Sequence, residues 1–294
     1  MVLSRSGVVK RAVLGLVVAA AVFCAAIAVK SFRYARSTLH PPREALDAPP
    51  KVQGLESVAF TSGALTLRGW YVPSRNRAAV VLCHGHYANR AQLRAELELL
   101  AARGFGVLAF DFPAHGESDG TLVTWGDLEQ GALLSALDYV QARSDVDRDR
   151  IGVLGFSLGG TTALEVAAKD QRVKAVACLG GYSSIDEELS FELRKWGPLS
   201  QYPALWALES AGVDVNGVRP IATICNIAPR PVLLIAGELD TIVPADQAWR
   251  LYLAACEPKE LWVAKGAKHG EYGRADRKDY EEHLLKLFVG ALLK

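Results

Sequence analysis

From Ile151 to Gly160 the chain reads Ile-Gly-Val-Leu-Gly-Phe-Ser-Leu-Gly-Gly, a short apolar run that passes through G-x-S-x-G into a second apolar run, Leu158 to Ala168. A buried strand that turns into a helix at a single serine needs glycine where the two backbones meet. Gly155 and Gly159 permit the tight turn, and Gly160 lets the helix pack closely. Such a turn holds Ser157 in a strained conformation with its hydroxyl projecting above the sheet. The amide of Leu158, first in the helix, then points to where charge on an oxygen would develop. A chain built around this unit must place strands and helices in alternation.

The rest of the body follows that rhythm. Ser57 to Thr61 and Ala64 to Val72, split by Ser62-Gly63, read as a hairpin at a sheet edge. Ala78 to Cys83, Gly106 to Phe110, Ile151 to Leu154, Val173 to Leu179, Pro231 to Ala236 and Leu261 to Ala264 are short apolar runs, as strands buried on both faces should be. Leu93, Leu97 and Leu100, then Leu133, Leu137 and Val140, then Tyr280, Leu284, Leu287, Phe288 and Ala291 mark helical stripes between or after them. The expected fold is α/β, a mostly parallel central sheet with helices on both faces. Ser183 to Ile227 is too long for an ordinary connection and reads as a small helical cap insert. Its Phe191, Trp196, Tyr202, Leu205, Trp206 and Leu208 either line an apolar pocket or pack the insert onto the domain.

A serine hydroxyl is a weak nucleophile at neutral pH and needs an imidazole to take its proton and a carboxylate to orient that imidazole. Asp240 follows the strand Pro231 to Ala236, in Leu-Ile-Ala-Gly-Glu-Leu-Asp-Thr-Ile-Val-Pro, and His269 follows the next strand, in Lys-Gly-Ala-Lys-His-Gly-Glu. Both fall on loops at strand C-terminal ends, which share one edge of a parallel sheet. Three residues far apart in the chain can therefore meet, and their order, Ser157, Asp240, His269, suits the strand-elbow-helix arrangement.

These windows resemble the α/β-hydrolase superfamily, and the resemblance spans about Val58 to Leu293. His84-Gly85-His86-Tyr87, after the first buried strand, is similar to the family's oxyanion loop. Asp111-Phe-Pro-Ala-His-Gly-Glu-Ser-Asp-Gly120 is similar to its D-x-x-G-H-G-x-S segment, with Pro113-Ala114 where an Arg-Gly or similar pair is common. The resemblance implies that the backbone N–H of His86 is the second oxyanion donor beside Leu158, and that acid and base are Asp240 and His269. It also implies a carboxylesterase, thioesterase, lipase or serine peptidase, among which the elbow does not choose.

The other polar residues have plainer readings. His84 and His115 hold loops, the His86 side chain need not act, and His283 lies on the flank of the terminal helix. Glu238 is the alternative to Asp240 as acid. Asp246 and the Ser183/Ser184 pair suit helix or turn caps. His84 and His86 have no third partner at metal-ligand spacing, so no metal is expected. With neither a P-loop nor a dinucleotide fingerprint, no cofactor is expected.

The N-terminus is of another kind. Eighteen residues, Ala12 to Val29, carry no charge and are bracketed by Arg5, Lys10 and Arg11 on one side and Lys30, Arg33 and Arg36 on the other. As a helix they span about 27 Å, close to a bilayer core. The expected organisation is a basic tail over 1–11, a transmembrane anchor or uncleaved signal over 12–29, a Pro-rich linker over 30–54, and the catalytic domain over 55–294 with its insert at about 183–227. A cleaved signal peptide competes, because Ala26-Ile27-Ala28 offers small residues. Basic residues flank both ends almost equally, so the side of the membrane stays open.

Residues 1–43 hold seven Lys and Arg and no acid, leaving 26 basic against 32 acidic residues in the body. A body of that sign offers no basic face to nucleic acid. Half the chain is apolar and 22% is charged, which excludes a disordered chain. The five cysteines follow no zinc spacing; Cys83 and Cys178 sit in strands, and nothing in the pattern demands or excludes an oxidising compartment.

The expected activity is acyl transfer to water, a serine hydrolase cleaving carboxylic esters or thioesters by a Ser-His-Asp acyl-enzyme mechanism, on hydrophobic or lipid-like acyl substrates. A peptidase or amidase of the same fold and a non-catalytic pocket receptor are the alternatives. The expected partners are a small-molecule or lipid ester and a membrane; oligomeric state is not legible.

Overall fold

The apolar runs of the body become strands in the computed structural model, which describes residues 5–294. They are β1 (Glu56–Ser62), β2 (Leu65–Val72), β3 (Ala79–Cys83), β4 (Gly106–Phe110), β5 (Ile151–Phe156), β6 (Val173–Leu179), β7 (Val232–Gly237) and β8 (Lys259–Ala264). One eight-stranded sheet joins them in the order β1-β2-β4-β3-β5-β6-β7-β8. The β1–β2 hairpin occupies the edge, with β2 antiparallel to β4, and every later pairing is parallel. Strands β3 to β7 are buried along nearly their whole length, as their unbroken apolar composition requires.

Helices cover both faces. On one, α3 (Leu128–Gln141), α4 (Leu158–Lys169) and α8 (Ala245–Ala254) pack Leu133, Leu137, Leu164 and Leu251 against Val81, Val153, Val176 and Leu234. On the other, α2 (Arg94–Ala102) and α10 (Arg277–Leu292) pack Leu97, Leu100, Leu284 and Phe288 against Val80, Leu154 and Leu233.

Between β6 and β7 the chain is helical. It runs through α5 (Ile185–Leu193), α6 (Gln201–Ser210) and α7 (Pro220–Thr223), with 3-10 turns at Arg194–Trp196, Val215–Gly217 and Ile224–Ile227. Helix α5 starts where the Ser184 hydroxyl accepts from the Glu187 amide, and Asp186, Glu187 and Glu188 in its first turn suit the positive helix end. A four-residue helix, α9 (Tyr272–Ala275), precedes α10.

The N-terminal helix, α1, runs from Arg5 to Thr38. Residues 1–4 of the expected basic tail lie outside the described residues. The helix does not stop at Val29, where the linker was expected to begin. Charge after Val29 ends the apolar stretch but not the helix, because the first helix-breaking residue downstream is Pro41. From Val9 to Thr38 this one helix is long and apolar enough to cross a membrane, and its most apolar window is wholly unburied.

One cysteine pair comes together in the fold, which the spacing in the chain did not mark. Cys225 and Cys256 form a disulfide with Cα atoms 4.6 Å apart, tying the Ile224–Ile227 turn to the loop between α8 and β8. Cys83 and Cys178 are buried free thiols, and Cys24 is exposed on α1.

Candidate active site

Strand β5 delivers the chain into the elbow, and Ser157 takes a left-handed backbone conformation there, φ +53° and ψ −119°. A β-carbon on Gly159 would overlap the carbonyl of Cys83, and one on Gly155 would overlap that of Gly159. The two glycines thus let strand, turn and helix close on one another. Four of the five non-glycine residues with positive φ among those described, Tyr87, Ala114, Trp125 and Ser157, belong to the loops around this point. Strain of this kind costs about 1–3 kcal/mol per residue and persists where surrounding packing over-determines it.

The next two strands bring in acid and base. Asp240 lies just beyond β7, its side chain fully buried. Its Oδ1 accepts from the amides of Ile242 and Val243 at 2.9 and 3.0 Å, and its Oδ2 sits 2.6 Å from Nδ1 of His269. Three contacts on one carboxylate fix its orientation. The carboxylate engages Nδ1, so Nε2 is left for a hydroxyl. The His269 ring lies on Phe156, with centroids 4.6 Å apart. Ser157 and His269 line the same cavity. Among the described residues no hydrogen bond joins the serine hydroxyl to the ring, a separation that tightens in many hydrolases only when substrate binds.

The loop after β3 faces the elbow. His84 is buried; its Nδ1 donates to the carbonyl of Gly85, and its Nε2 accepts from the amide of Phe112. The Gly85 amide donates to Gln92 Oε1, and the Nε2–H of His86 donates to the carbonyl of Thr38 at 2.9 Å. Burial pushes His86 down to about 3, so its ring is neutral at physiological pH. Among the described residues, no loop carbonyl or side chain takes up the amides of His86 and Leu158. The Asp111–Gly120 segment is a brace: Asp111 accepts from the Arg90 and Glu117 amides and pairs with the Arg90 guanidinium.

A cavity of about 1210 Å³ opens over Ser157 and continues into a groove between α2 and α10. Around the serine it is lined by His86, Trp125, Phe156, Leu158, Tyr182 and Val243. The insert contributes two acids, Glu188 and Glu192, and none of the aromatics singled out from sequence. Trp206 instead packs on Phe32 and Trp196 on Tyr34, both from α1, Phe191 lies under the Arg194 guanidinium, and Tyr202 is exposed. None of those rings lines the cavity, and the two tryptophans pack against α1. Burial and the neighbouring Glu192 push the Glu188 carboxyl up to about 8, and Gln247 Nε2 donates to it at 2.6 Å. No sequence motif marks either acid.

The remaining candidates lie elsewhere. Glu238 is exposed and accepts from the Gly266 amide. His115 Nδ1 bonds the carbonyl of Pro113, and His283 pairs with Glu260 on the flank of α10. Asp246 pairs with Arg250, Ser184 caps α5, and Ser183 hydrogen-bonds Gln247.

Comparison with known proteins agrees with this architecture. The model of the alpha/beta hydrolase fold matches residues 78–207. The chain is 29% identical over 256 residues to protein YfhR of Escherichia coli K12, covering 83% of this chain and 84% of that one. It is 32% identical over 230 residues to protein Rv2307c of Mycobacterium tuberculosis H37Rv, covering 74% and 73%. Among solved structures it superimposes on the esterase Pf2001 of Pyrococcus furiosus with a TM-score of 0.73 at 23% identity, over 88% of this chain and 99% of that one.

Proposed function

We propose that this chain, which belongs to the α/β-hydrolase fold family, is a serine hydrolase that cleaves carboxylic esters or thioesters. The observation that carries the reading is the His269–Asp240 pair at 2.6 Å, opening on the same cavity as Ser157 at its left-handed elbow. In the proposed reaction Ser157 Oγ attacks the acyl carbonyl carbon while His269 Nε2 takes its proton. The amides of His86 and Leu158 receive the oxyanion, two such donors contributing several kcal/mol, each about 3–4 if lost. Collapse of the intermediate breaks the ester bond, and His269 returns the proton to the leaving alcohol or thiol. Water, activated by the same imidazole, then releases the acid and regenerates Ser157.

Hydrophobic or lipid-like acyl groups are the proposed substrates. Trp125, Phe156, Leu158 and Val243 give the cavity apolar walls, and α1, proposed as a single-pass membrane anchor, would hold the domain at a lipid surface. The likeness in fold to a protein described as an esterase supports the ester class.

The test is labelling of the full chain with a fluorophosphonate, alongside Ser157→Ala and His269→Ala. Labelling abolished by both substitutions is the expected result. A folded wild-type chain that does not label sinks the serine-hydrolase reading. Equal turnover of acetyl and long-chain esters removes the lipid-like part alone.

A further inference from the structure

One helix changes character along its length. Side chains of α1 from Val9 to Lys30 are exposed or half-exposed, whereas Ser31, Ala35, Thr38 and then Leu39 are buried at the spacing of one helical face. Ala35 and Leu39 join a single apolar cluster with Trp125, Leu158, Tyr182, Ala204, Ala207 and Leu208. That cluster contains a proposed oxyanion residue, Leu158, and the α6 face of the insert.

We infer that the last two turns of α1 back the lining of the active site without entering it, and that Thr38 is a positioning residue for the acyl-transfer reaction, an inference that rests on the serine-hydrolase reading above. Thr38 is 1% exposed and makes three hydrogen bonds. Its carbonyl accepts from His86 Nε2 at 2.9 Å, its hydroxyl accepts from Trp125 Nε1 at 2.9 Å, and the hydroxyl donates to the carbonyl of Ala35 at 2.7 Å. Two rings that line the cavity, on two separate loops, are thereby referred to one residue of the N-terminal helix. The His86 ring belongs to the residue whose amide is the proposed oxyanion donor. Such a donor must be held to within about 0.5 Å, and the loop carrying it has no ladder of its own.

Neighbouring contacts make the grip continuous. Tyr34, one turn earlier, donates to Glu192 on the cavity wall at 2.6 Å. The carbonyl of Leu39 accepts from Val123, and Arg43 donates to the carbonyls of His115, Gly116, Ser118 and Gly120. The hydroxyl at position 38 is the acceptor for that N–H: valine has the same shape but leaves the buried indole N–H without an acceptor.

The test is the time course of fluorophosphonate labelling of the full chain in detergent micelles. Its amplitude reports the folded fraction and its rate constant reports how well the site is set. Thr38→Val is expected to label about tenfold more slowly at undiminished amplitude, and to lower kcat but not KM for a small soluble acetate ester. Thr38→Ser restores the rate. Trp125→Phe slows labelling similarly, and the double variant Thr38→Val with Trp125→Phe is no slower than either single one, because both remove the same bond. Thr38→Val at the wild-type rate, or Thr38→Ser as slow as Thr38→Val, overturns the inference. Should Thr38→Val lose its amplitude, Trp125→Phe decides alone, and a wild-type rate in it overturns the inference. A wild-type chain that labels no faster than Ser157→Ala overturns the hydrolase reading and this inference with it.

Discussion

Asp240 and His269 are 29 residues apart in the chain, yet a carboxylate oxygen of one stands 2.6 Å from Nδ1 of the other, while the second oxygen is pinned by two backbone amides. The backbone anchors the carboxylate, and the carboxylate in turn holds the imidazole ring. Asparagine at position 240 would preserve the shape and present an N–H to Nδ1, selecting the wrong tautomer. Asp240→Asn is expected to lower kcat by about 10³–10⁴ with the fold intact, measured on any ester the wild type turns over. Glu238→Gln, on the exposed neighbour, is expected to stay at the wild-type rate. The reverse pattern would reassign the acid.

The elbow allows an equally sharp test. A methyl group on Gly159 would collide with the Cys83 carbonyl, a backbone atom fixed within the sheet. Gly159→Ala is expected to cost about 3 kcal/mol or more, seen as a lower thermal midpoint or as failure to fold. A variant as stable as the wild type would mean that β3 and α4 are not in such close contact.

Stability should fall on both sides of neutrality. Burial lowers His84 to about 4 and both His86 and His115 to about 3, so the folded state keeps these rings neutral. Their contribution is present above the ordinary histidine value of 6.5 and is lost as pH falls toward 4 and 3. Glu188 has the opposite sign: raised from 4.5 to about 8, it favours the folded state at low pH and loses that contribution as pH rises from 4.5 through 8. Glu188→Gln is therefore expected to flatten the alkaline limb of the melting temperature against pH and to leave the acid limb in place. An unchanged alkaline limb would show that Glu188 ionises freely in the fold.

The disulfide closes a loop with a sequence separation of 31. Chain-entropy reasoning puts its contribution at about 3–4 kcal/mol. Reductant is expected to lower the urea midpoint of the wild type but not that of a chain carrying both Cys225→Ser and Cys256→Ser. Equal midpoints for both proteins without reductant would show that the bridge adds nothing.

Residues that announce themselves locally were legible in the sequence. Ser157, Asp240 and His269 each follow a short apolar strand on a glycine-marked loop, so the strand pattern alone located them at one sheet edge. The strand boundaries moved by only one or two residues for the same reason. What escaped depends on pairs of segments with no shared local signature. Tyr34 and Glu192 are 158 residues apart, and neither sits in a motif. Cys225 and Cys256 are brought together by the way α8 returns along the sheet, not by their spacing. The aromatics of the insert were visible as a cluster, but their partners on α1 were not, because the charged residues after Val29 read as the end of the helix.

The unbroken course of α1 makes the attachment of the α/β body a matter of angle as well as distance. A flexible leash would let the cavity mouth sample every bearing, whereas an α-helix advances about 1.5 Å and rotates about 100° with each residue. With Ser31, Ala35 and Thr38 clamped to the body and the apolar stretch seated in a bilayer, as proposed, the number of residues between them sets the compass heading of the mouth. One extra residue after Val29 would swing the whole domain by about a quarter turn, and seven would bring it nearly back to its original heading.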